Sequence, residues 1–242
     1  MEDVKGIIFD YGGTLDTDSV HWAHVLWDAY QAEGVGVTWE QFRECYVHGE
    51  RTLAREPLIR PEHDMLDLLR TKADVETRYL VEKGYLKVNE VTRRAYAVHI
   101  SVRCYNHVCR IVRVSREVVS QLSLHYPLVL VSNFYGNINT ILHDFRLDTF
   151  FPPTSVIESA VVGLRKPDPR IFSLGVERLG LRPEEVLVVG DSFDKDILPA
   201  TSIGCKTVWF KGKGWDDKPV DESIPTAVIS DLRQLPEVLV GP

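Results

Sequence analysis

Four short segments of the chain carry side chains that could bind and transfer an anionic group. They are Asp10-Tyr11-Gly12-Gly13-Thr14, Ser132-Asn133, Lys166-Pro167 and Gly190-Asp191. A carboxylate such as Asp10 can attack phosphorus and form an aspartyl phosphate, which replaces one difficult displacement by two easier ones. An amine such as Lys166 can neutralise charge on the nucleophile and on the transferring group. Taken alone, each segment also fits a plainer role, since Asp10 could cap the glycine turn and Lys166 could be a surface lysine.

The two carboxylates Asp10 and Asp191 also suggest a metal site. If they converge, they repel each other and repel a phosphate unless a cation lies between them. Mg²⁺ prefers hard oxygen ligands and commonly takes one or two carboxylates together with substrate phosphate and water. The pair therefore favours a divalent cation, although Asp191 could instead be an ordinary turn residue.

The elements that must position these segments are short, continuously apolar strands. The apolar runs are Val4 to Phe9, Leu128 to Val131, Val186 to Val189 and Thr207 to Phe210. Such runs are typical of a parallel sheet covered on both faces, and helical patterns over 137–145 and 168–179 lie between them. The alternation predicts an α/β fold with a doubly wound parallel sheet. Because such sheets bind ligands at the carboxyl ends of their strands, we expect the polar segments to meet there.

Residues 16–116 differ from the rest of the chain because they contain no convincing strand. Thr38 to Gln41 form a capping box that predicts the start of a helix. A stripe at steps of three and four predicts a long helix. Its members are Val91, Ala95, Val98, Val102, Tyr105, Cys109 and Val112. We therefore expect an all-helical domain over residues 16–116, inserted into an α/β core domain of residues 1–15 and 117–242, with the chain returning to the sheet near 118–124.

In their order the polar segments resemble the four motifs of the haloacid dehalogenase-like hydrolases. The motifs are D-x-x-G-T at Asp10, Ser-Asn at Ser132, Lys-Pro at Lys166 and G-D-S-x-x-x-D from Gly190 to Asp196. The resemblance covers about 7–210, and the helical insertion matches the cap domain that many members carry after the first motif. It implies a Rossmann-like core with a helical cap and Mg²⁺-dependent hydrolysis of a small phosphorylated metabolite through an aspartyl phosphate.

The resemblance also implies a role for individual residues. Mg²⁺ would be held by the side chains of Asp10 and Asp191 and by the carbonyl of Gly12, with Asp196 or Asp194 supporting the site. The catalytic residues would be Asp10, Ser132 and Lys166. The residues implied to bind the phosphate are Gly13, Thr14, Ser132, Asn133 and Lys166.

The sequence departs from the family at Gly12, where phosphatases usually carry a second Asp that protonates the leaving group. General acid-base catalysis typically contributes about 10² to 10⁴ in rate. The substrate could therefore be an acyl or aryl phosphate, whose leaving group needs no proton. Alternatively, the acid could come from elsewhere, with candidates at Asp16, Asp18, His21 and His24, or the chain could have little activity and serve as a ligand- or protein-binding protein.

Two other reactions of the family also proceed without that acid. A 2-haloacid dehalogenase attacks carbon with the same Asp but needs no metal, so the pair of Asp10 and Asp191 counts against it. A phosphonatase uses a cap lysine to form a Schiff base. The candidates by location are Lys72, Lys83 and Lys87.

The composition limits the partners of the protein. A formal net charge of -7 argues against binding nucleic acid through bulk electrostatics. No apolar run approaches the roughly 20 residues that cross a bilayer, and no secretory signal is evident, so a cytoplasmic location and no membrane partner are expected. The four cysteines show no metal-binding spacing and are expected to be free thiols. The sequence does not indicate the oligomeric state.

Overall fold

The computed structural model describes residues 1, 3–216 and 218–240, and its centre is a parallel β-sheet. The strands are β1 (Gly6–Phe9), β2 (Leu128–Ser132), β3 (Val156–Glu158), β4 (Val186–Gly190), β5 (Lys206–Phe210) and β6 (Ala227–Ile229). Their order in the sheet is β3-β2-β1-β4-β5-β6, and all neighbours run parallel. The chain runs from β1 to β2 and β3 on one side, and then crosses from β3 to β4 on the other side of β1. The switch point of the sheet therefore lies between β1 and β4, at their carboxyl ends.

The central strands β1, β2 and β4 are buried on both faces, which is why Ser132 at the end of β2 is their only polar side chain. In β1, Ile7 and Phe9 join the larger hydrophobic cluster on one face, whereas Ile8 joins a second cluster on the other face. The alternation follows from the two-residue period of a strand. The predicted doubly wound parallel sheet is confirmed.

The helices that accompany the sheet come from the second half of the chain. They are α5 (Ile138–Asp144), α6 (Ser159–Val162), α7 (Arg170–Leu179), α8 (Leu198–Ser202) and α9 (Leu235–Val240). The helix α7 buries Ile171, Phe172 and Val176 in the smaller cluster, which also contains Ile8. Gly175 is required at this contact, because an added Cβ would lie 2.7 Å from Ile8 Cδ1.

The first half of the chain after β1 is helical, as expected. Its helices are α1 (Trp22–Ala32), α2 (Trp39–Arg55), α3 (Met65–Glu82) and α4 (Glu90–Ser123). The predicted capping box is present at the start of α2, where the Thr38 hydroxyl accepts from the Gln41 backbone N–H and the Gln41 side chain accepts from the Thr38 N–H. Among the described residues, no helix combines the length and apolar character that a membrane span requires.

The long helix α4 exists as predicted, but its predicted apolar stripe is largely wrong, because Val112 is the only fully buried member. Val91, Val98 and Val102 are 79%, 46% and 38% exposed. The buried face instead includes Ala97, Ile100, Ser101, Cys104 and Val108, which pack mainly against α3 and also against α1. Small and polar residues allow close helix contacts, so this face is less apolar in sequence than the valine stripe.

The boundary expected between residues 116 and 117 lies inside α4, which is a continuous helix of 34 residues. This helix contacts α1 and α3 as well as α9. The cap and the core are therefore joined through a shared helix. All four cysteines are free, as the sequence predicts: Cys45, Cys104, Cys109 and Cys205.

Candidate active site

The polar segments meet at the carboxyl edge of the sheet, where Asp10 directly follows β1. Asp10 is only 4% exposed, and β2 and β4 flank its strand on either side. A cavity of about 140 Å³ opens at this edge. The residues of the four segments that line it are Asp10, Gly12, Gly13, Ser132, Asn133, Lys166, Asp191 and Asp196.

Lys166 bridges two of the carboxylates. Its Nζ lies 2.6 Å from Asp10 Oδ1 and 2.7 Å from Asp196 Oδ1, and all three side chains are buried. Burial disfavours the charge on Lys166, but Asp10 and Asp196 outweigh it and raise the lysine pKa above its usual value. The ammonium is therefore charged at neutral pH and fixed against the carboxylate of Asp10.

The segment after β2 holds the lysine in position. The Asn133 amide accepts from the Lys166 backbone N–H at 2.9 Å and donates to the Lys166 carbonyl at 3.0 Å. The neighbouring Ser132 hydroxyl lines the cavity and is buried without a hydrogen-bond partner among the described residues. A buried polar group of this kind normally finds a partner, so a ligand oxygen in the cavity would satisfy it.

Thr14 links the two acids expected to bind metal. Its hydroxyl lies 3.4 Å from Asp10 Oδ2 and 3.1 Å from Asp191 Oδ1, and it accepts from the Asp191 backbone N–H at 3.0 Å. Gly13 has a φ of 103°, and an added Cβ would lie 2.4 Å from Asp191 Oδ1. Glycine at this position therefore permits both the turn and the approach of Asp191.

The residues of the site fit a divalent cation. Carboxylate oxygens of Asp10, Asp191 and Asp196 lie within 4.8 Å of one another. Burial raises the pKa of Asp10 to about 6, and burial together with the charge of Asp10 raises the pKa of Asp191. Both Asp196 oxygens already have partners, Lys166 Nζ at 2.7 Å and the Ser192 N–H at 3.0 Å. An excess of buried carboxylates over the single ammonium is relieved by a cation that prefers oxygen ligands.

The position of Gly12 has room for a side chain. An added Cβ would meet only Trp22 Nε1, at 4.0 Å, and the backbone there has no positive φ. The absence of the second Asp is therefore not imposed by packing. The Trp22 indole N–H donates to Asp16 Oδ2 at 3.1 Å, so the wall beside Gly12 is formed by Trp22 and Asp16.

Two of the four candidates for a replacement acid line the cavity. Asp16 is fully buried, accepts from the Gly13 backbone N–H at 2.7 Å, and has its pKa raised to about 7 by burial. His21 also lines the cavity, but burial lowers its pKa to about 4. Asp18 is exposed, and His24 stacks on Trp39 with ring centroids 5.3 Å apart.

The helical region contributes one of the three candidate lysines to the cavity. Lys72 of α3 lines it, whereas Lys83 and Lys87 are exposed and Lys83 pairs with Glu44. Tyr46, Glu50 and Tyr135 also line the cavity, although no sequence signal singled them out. They occur in no motif, and only the folded arrangement of α2, α3 and the segment after β2 brings them together.

The switch-point aspartate, its bridging lysine and the helices over the cavity define a capped α/β enzyme. The sequence model of the haloacid dehalogenase-like hydrolases matches residues 4–204. The chain therefore belongs to this family, and the predicted family and hydrolase class are confirmed.

Several relatives are named as glyceraldehyde 3-phosphate phosphatases, and two of them illustrate the range of coverage. The one from Methanopyrus kandleri is 41% identical over 240 residues, which cover 98% of this chain and 97% of the relative. The one from Pyrococcus furiosus is 38% identical over 95 residues, which span 39% of each chain. The match to the second relative therefore covers less than half of its length.

The fold also matches solved structures. A crystal structure described as a dehalogenase has a TM-score of 0.65 and 18% sequence identity, with 100% of both chains covered. At this identity the likeness shows the shared fold, in agreement with the parallel sheet described above.

Proposed function

We propose that the protein is a Mg²⁺-dependent phosphatase that hydrolyses a small phosphorylated metabolite through an aspartyl phosphate. The observation that carries the proposal is the buried contact of Lys166 with Asp10 and Asp196, with Asp191 beside them. The proposal divides the chain into an α/β core, residues 1–15 and 117–242, and a helical cap, residues 16–116.

In the first step an oxygen of Asp10 attacks phosphorus, and the bond from phosphorus to the leaving oxygen breaks with its electron pair on that oxygen. Water then attacks the aspartyl phosphate, releases inorganic phosphate and restores the Asp10 carboxylate. Lys166 stabilises the charge of the transferring group, and the unpaired Ser132 hydroxyl donates to one of its oxygens. Asn133 keeps Lys166 aligned through its two hydrogen bonds.

The residues that would hold Mg²⁺ are Asp10, Asp191 and the carbonyl of Gly12. Asp196 would support the site by accepting hydrogen bonds from Lys166 Nζ and from the Ser192 N–H. When bound, the ion would neutralise the carboxylates and the phosphate oxygens. Thr14 orients the two acids through its hydroxyl, and Gly13 leaves room for Asp191. The Gly13 N–H donates to Asp16, so its part in phosphate binding is to form the turn.

Gly12 determines which leaving groups are favourable. Without an acid at this position, acyl and aryl phosphates should react faster than alkyl phosphates. The relatives named as glyceraldehyde 3-phosphate phosphatases make that alkyl phosphate a necessary member of any substrate panel.

The cap lysine does not favour the phosphonatase alternative. A lysine that forms a Schiff base must lose its proton, but Lys72 is paired with Glu50, and this pairing raises the lysine pKa in spite of burial. The cluster of three acids likewise disfavours a metal-independent dehalogenase, because without a metal ion the single ammonium of Lys166 faces three carboxylates.

The test is a panel of acyl, aryl and alkyl phosphates and 2-haloacids, assayed with Mg²⁺ and with chelator. We expect phosphate release from the aryl and acyl compounds with Mg²⁺ only, and its loss in Asp10→Asn, which removes the nucleophile but keeps the shape. Halide release in the presence of chelator would select the dehalogenase. No turnover of any compound would reject the phosphatase in favour of a ligand- or protein-binding role.

A further inference from the structure

The cavity at Asp10 is also lined by a second set of polar residues, which we call the cap cluster. It consists of Tyr46 and Glu50 of α2, Lys72 of α3 and Tyr135 of the segment after β2. Because three members come from the helices of the cap and one follows a strand of the core, the cluster lies at the junction between the helical cap and the α/β core. None of its members takes part in the chemistry proposed for Asp10.

The members of the cap cluster contact one another. Lys72 forms an ion pair with Glu50, and its Nζ lies 4.7 Å from the centre of the Tyr46 ring. The Tyr135 hydroxyl donates to Glu50 Oε2 at 3.0 Å. Lys72 is only 4% exposed, and a buried ammonium is stable only with such partners. Burial opposes both charges, but the pair holds the pKa of Glu50 below and that of Lys72 above their usual values.

The cap cluster carries no net charge at neutral pH. The charges of Glu50 and Lys72 cancel, and the adjacent His21 is neutral because burial lowers its pKa to about 4. Glu76, one turn after Lys72 in α3, is fully buried and accepts a hydrogen bond from the Tyr30 hydroxyl at 3.0 Å.

Arg165 and Lys195 also line the cavity, but both side chains are exposed, so solvent screens their charges. The buried cation beside Glu50 is Lys72, and it is already paired, so a substrate carboxylate at this point would meet the repulsion of Glu50 with only screened cations to offset it.

The hydrogen-bonding capacity of the cluster matches an uncharged polar group. Lys72 has three N–H donors, and the carboxylate of Glu50 has about four acceptor positions, so both have capacity beyond their mutual contact. A hydroxyl donates and accepts, whereas a carboxylate only accepts. The apolar side chains that line the same cavity are Met65, Leu68, Leu69 and Phe134, and they suit a short carbon skeleton.

We propose that the cap cluster binds the part of the substrate remote from the phosphate, and that this part is a short, uncharged carbon chain bearing hydroxyl or carbonyl groups. The inference rests on the proposed phosphatase function, because that function places the phosphate at Asp10. It excludes substrates whose remote end is a carboxylate.

The test compares sn-glycerol 3-phosphate with 3-phosphoglycerate, which replaces the terminal hydroxymethyl group by a carboxylate. Both are measured as competitive inhibitors of 4-nitrophenyl phosphate hydrolysis with Mg²⁺, so slow turnover of alkyl phosphates does not affect the result. We expect the uncharged compound to bind at least about tenfold more tightly, as the loss of one charge-assisted contact implies. If 4-nitrophenyl phosphate is not hydrolysed, the proposed function fails, and calorimetric binding of the two compounds still tests the cluster.

Charge variants make the test specific. Glu50→Gln leaves Lys72 without its counter-charge and should shift the ratio of inhibition constants at least about tenfold toward 3-phosphoglycerate. Lys72→Met should shift it the opposite way, and it replaces Glu50→Gln if that variant does not fold. Glu44→Gln is the matched control, since Glu44 lies on the same helix and also contacts a lysine and tyrosines, but is exposed and outside this cavity. Equal constants in the wild type, or a ratio that Glu50→Gln and Lys72→Met leave unchanged, would overturn the proposal.

Discussion

Replacing Gly12 by Asp should restore the missing acid of the phosphatase mechanism. An added Cβ meets only Trp22 Nε1, at 4.0 Å, and the backbone at residue 12 is not in the left-handed region, so a Cβ at this position introduces neither a clash nor backbone strain. The negative charges of Asp10 and Asp191 raise the pKa of a new carboxyl beside them and favour its protonated form. A general acid contributes about 10² to 10⁴ in rate, which corresponds to roughly 2.7 to 5.4 kcal/mol of the barrier.

The assay is kcat/KM for sn-glycerol 3-phosphate relative to 4-nitrophenyl phosphate. We expect this ratio to rise about 10²-fold in Gly12→Asp, because only the alkyl leaving group needs the proton. Gly12→Asn has nearly the same shape but cannot serve as the acid, so its ratio should stay near that of the wild type. The reasoning is refuted if the two variants change the ratio equally, or if the wild type already hydrolyses both compounds at equal rates.

Three further predictions concern stability and charge. Lys166→Met should abolish turnover and cost about 3 to 5 kcal/mol in denaturant unfolding, because it leaves Asp10 and Asp196 buried without their cation, and an unchanged unfolding midpoint would contradict this. Burial raises the pKa of Asp10 to about 6 and that of Asp16 to about 7, so the folded state binds these protons more tightly than the unfolded state does. In chelator, stability should therefore fall as pH rises from 5.5 to 8, by slightly under about 1 kcal/mol from Asp10 and by about 2 kcal/mol from Asp16. Mg²⁺ should raise the Tm more at pH 8 than at pH 5.5, and a Tm in chelator that is flat or rises over this range would be inconsistent with the shifts. Thr38→Ala removes the capping box of α2 and should lower the free energy of unfolding by about 1 kcal/mol without changing KM for 4-nitrophenyl phosphate. An unchanged free energy of unfolding would mean that the Thr38 capping box contributes little to stability.

The core was predictable because its strands are short, apolar and bounded by polar motifs. The four apolar runs correspond to β1, β2, β4 and β5, and the residues after them meet at one edge because parallel strands all end there. The edge strands β3 and β6 were not predicted. Each has only three residues, and β3 ends in Glu158, so neither has the continuous apolar pattern of a strand buried on both faces.

The cap was predictable as helical but not in its contacts. The valine stripe of α4 has the spacing of a buried face, yet the helix buries a face that contains Ser101 and Arg93. Arg93 is accommodated there because its guanidinium contacts Asp74 and Glu90 at 2.7 Å. Pairings between residues distant in sequence leave no periodic signal. For the same reason the sequence did not indicate Glu50 and Tyr135, which come into contact only because the fold places α2 beside the segment after β2.

The distribution of charge along the cavity fixes how a substrate would lie in it. Around Asp10, three carboxylates face the single ammonium of Lys166, an imbalance that suits a cation together with a phosphate. Around Lys72, the charge of the ammonium is balanced by the carboxylate of Glu50, so this part of the cavity favours neither a cation nor a phosphate. A phosphate bound at Lys72 would lie beside the carboxylate of Glu50, and an uncharged group at Asp10 would leave the charges of the acids unbalanced. If the protein acts as proposed, the charges of the cavity therefore favour the orientation that places the phosphate at Asp10 and the uncharged end of the substrate at Lys72.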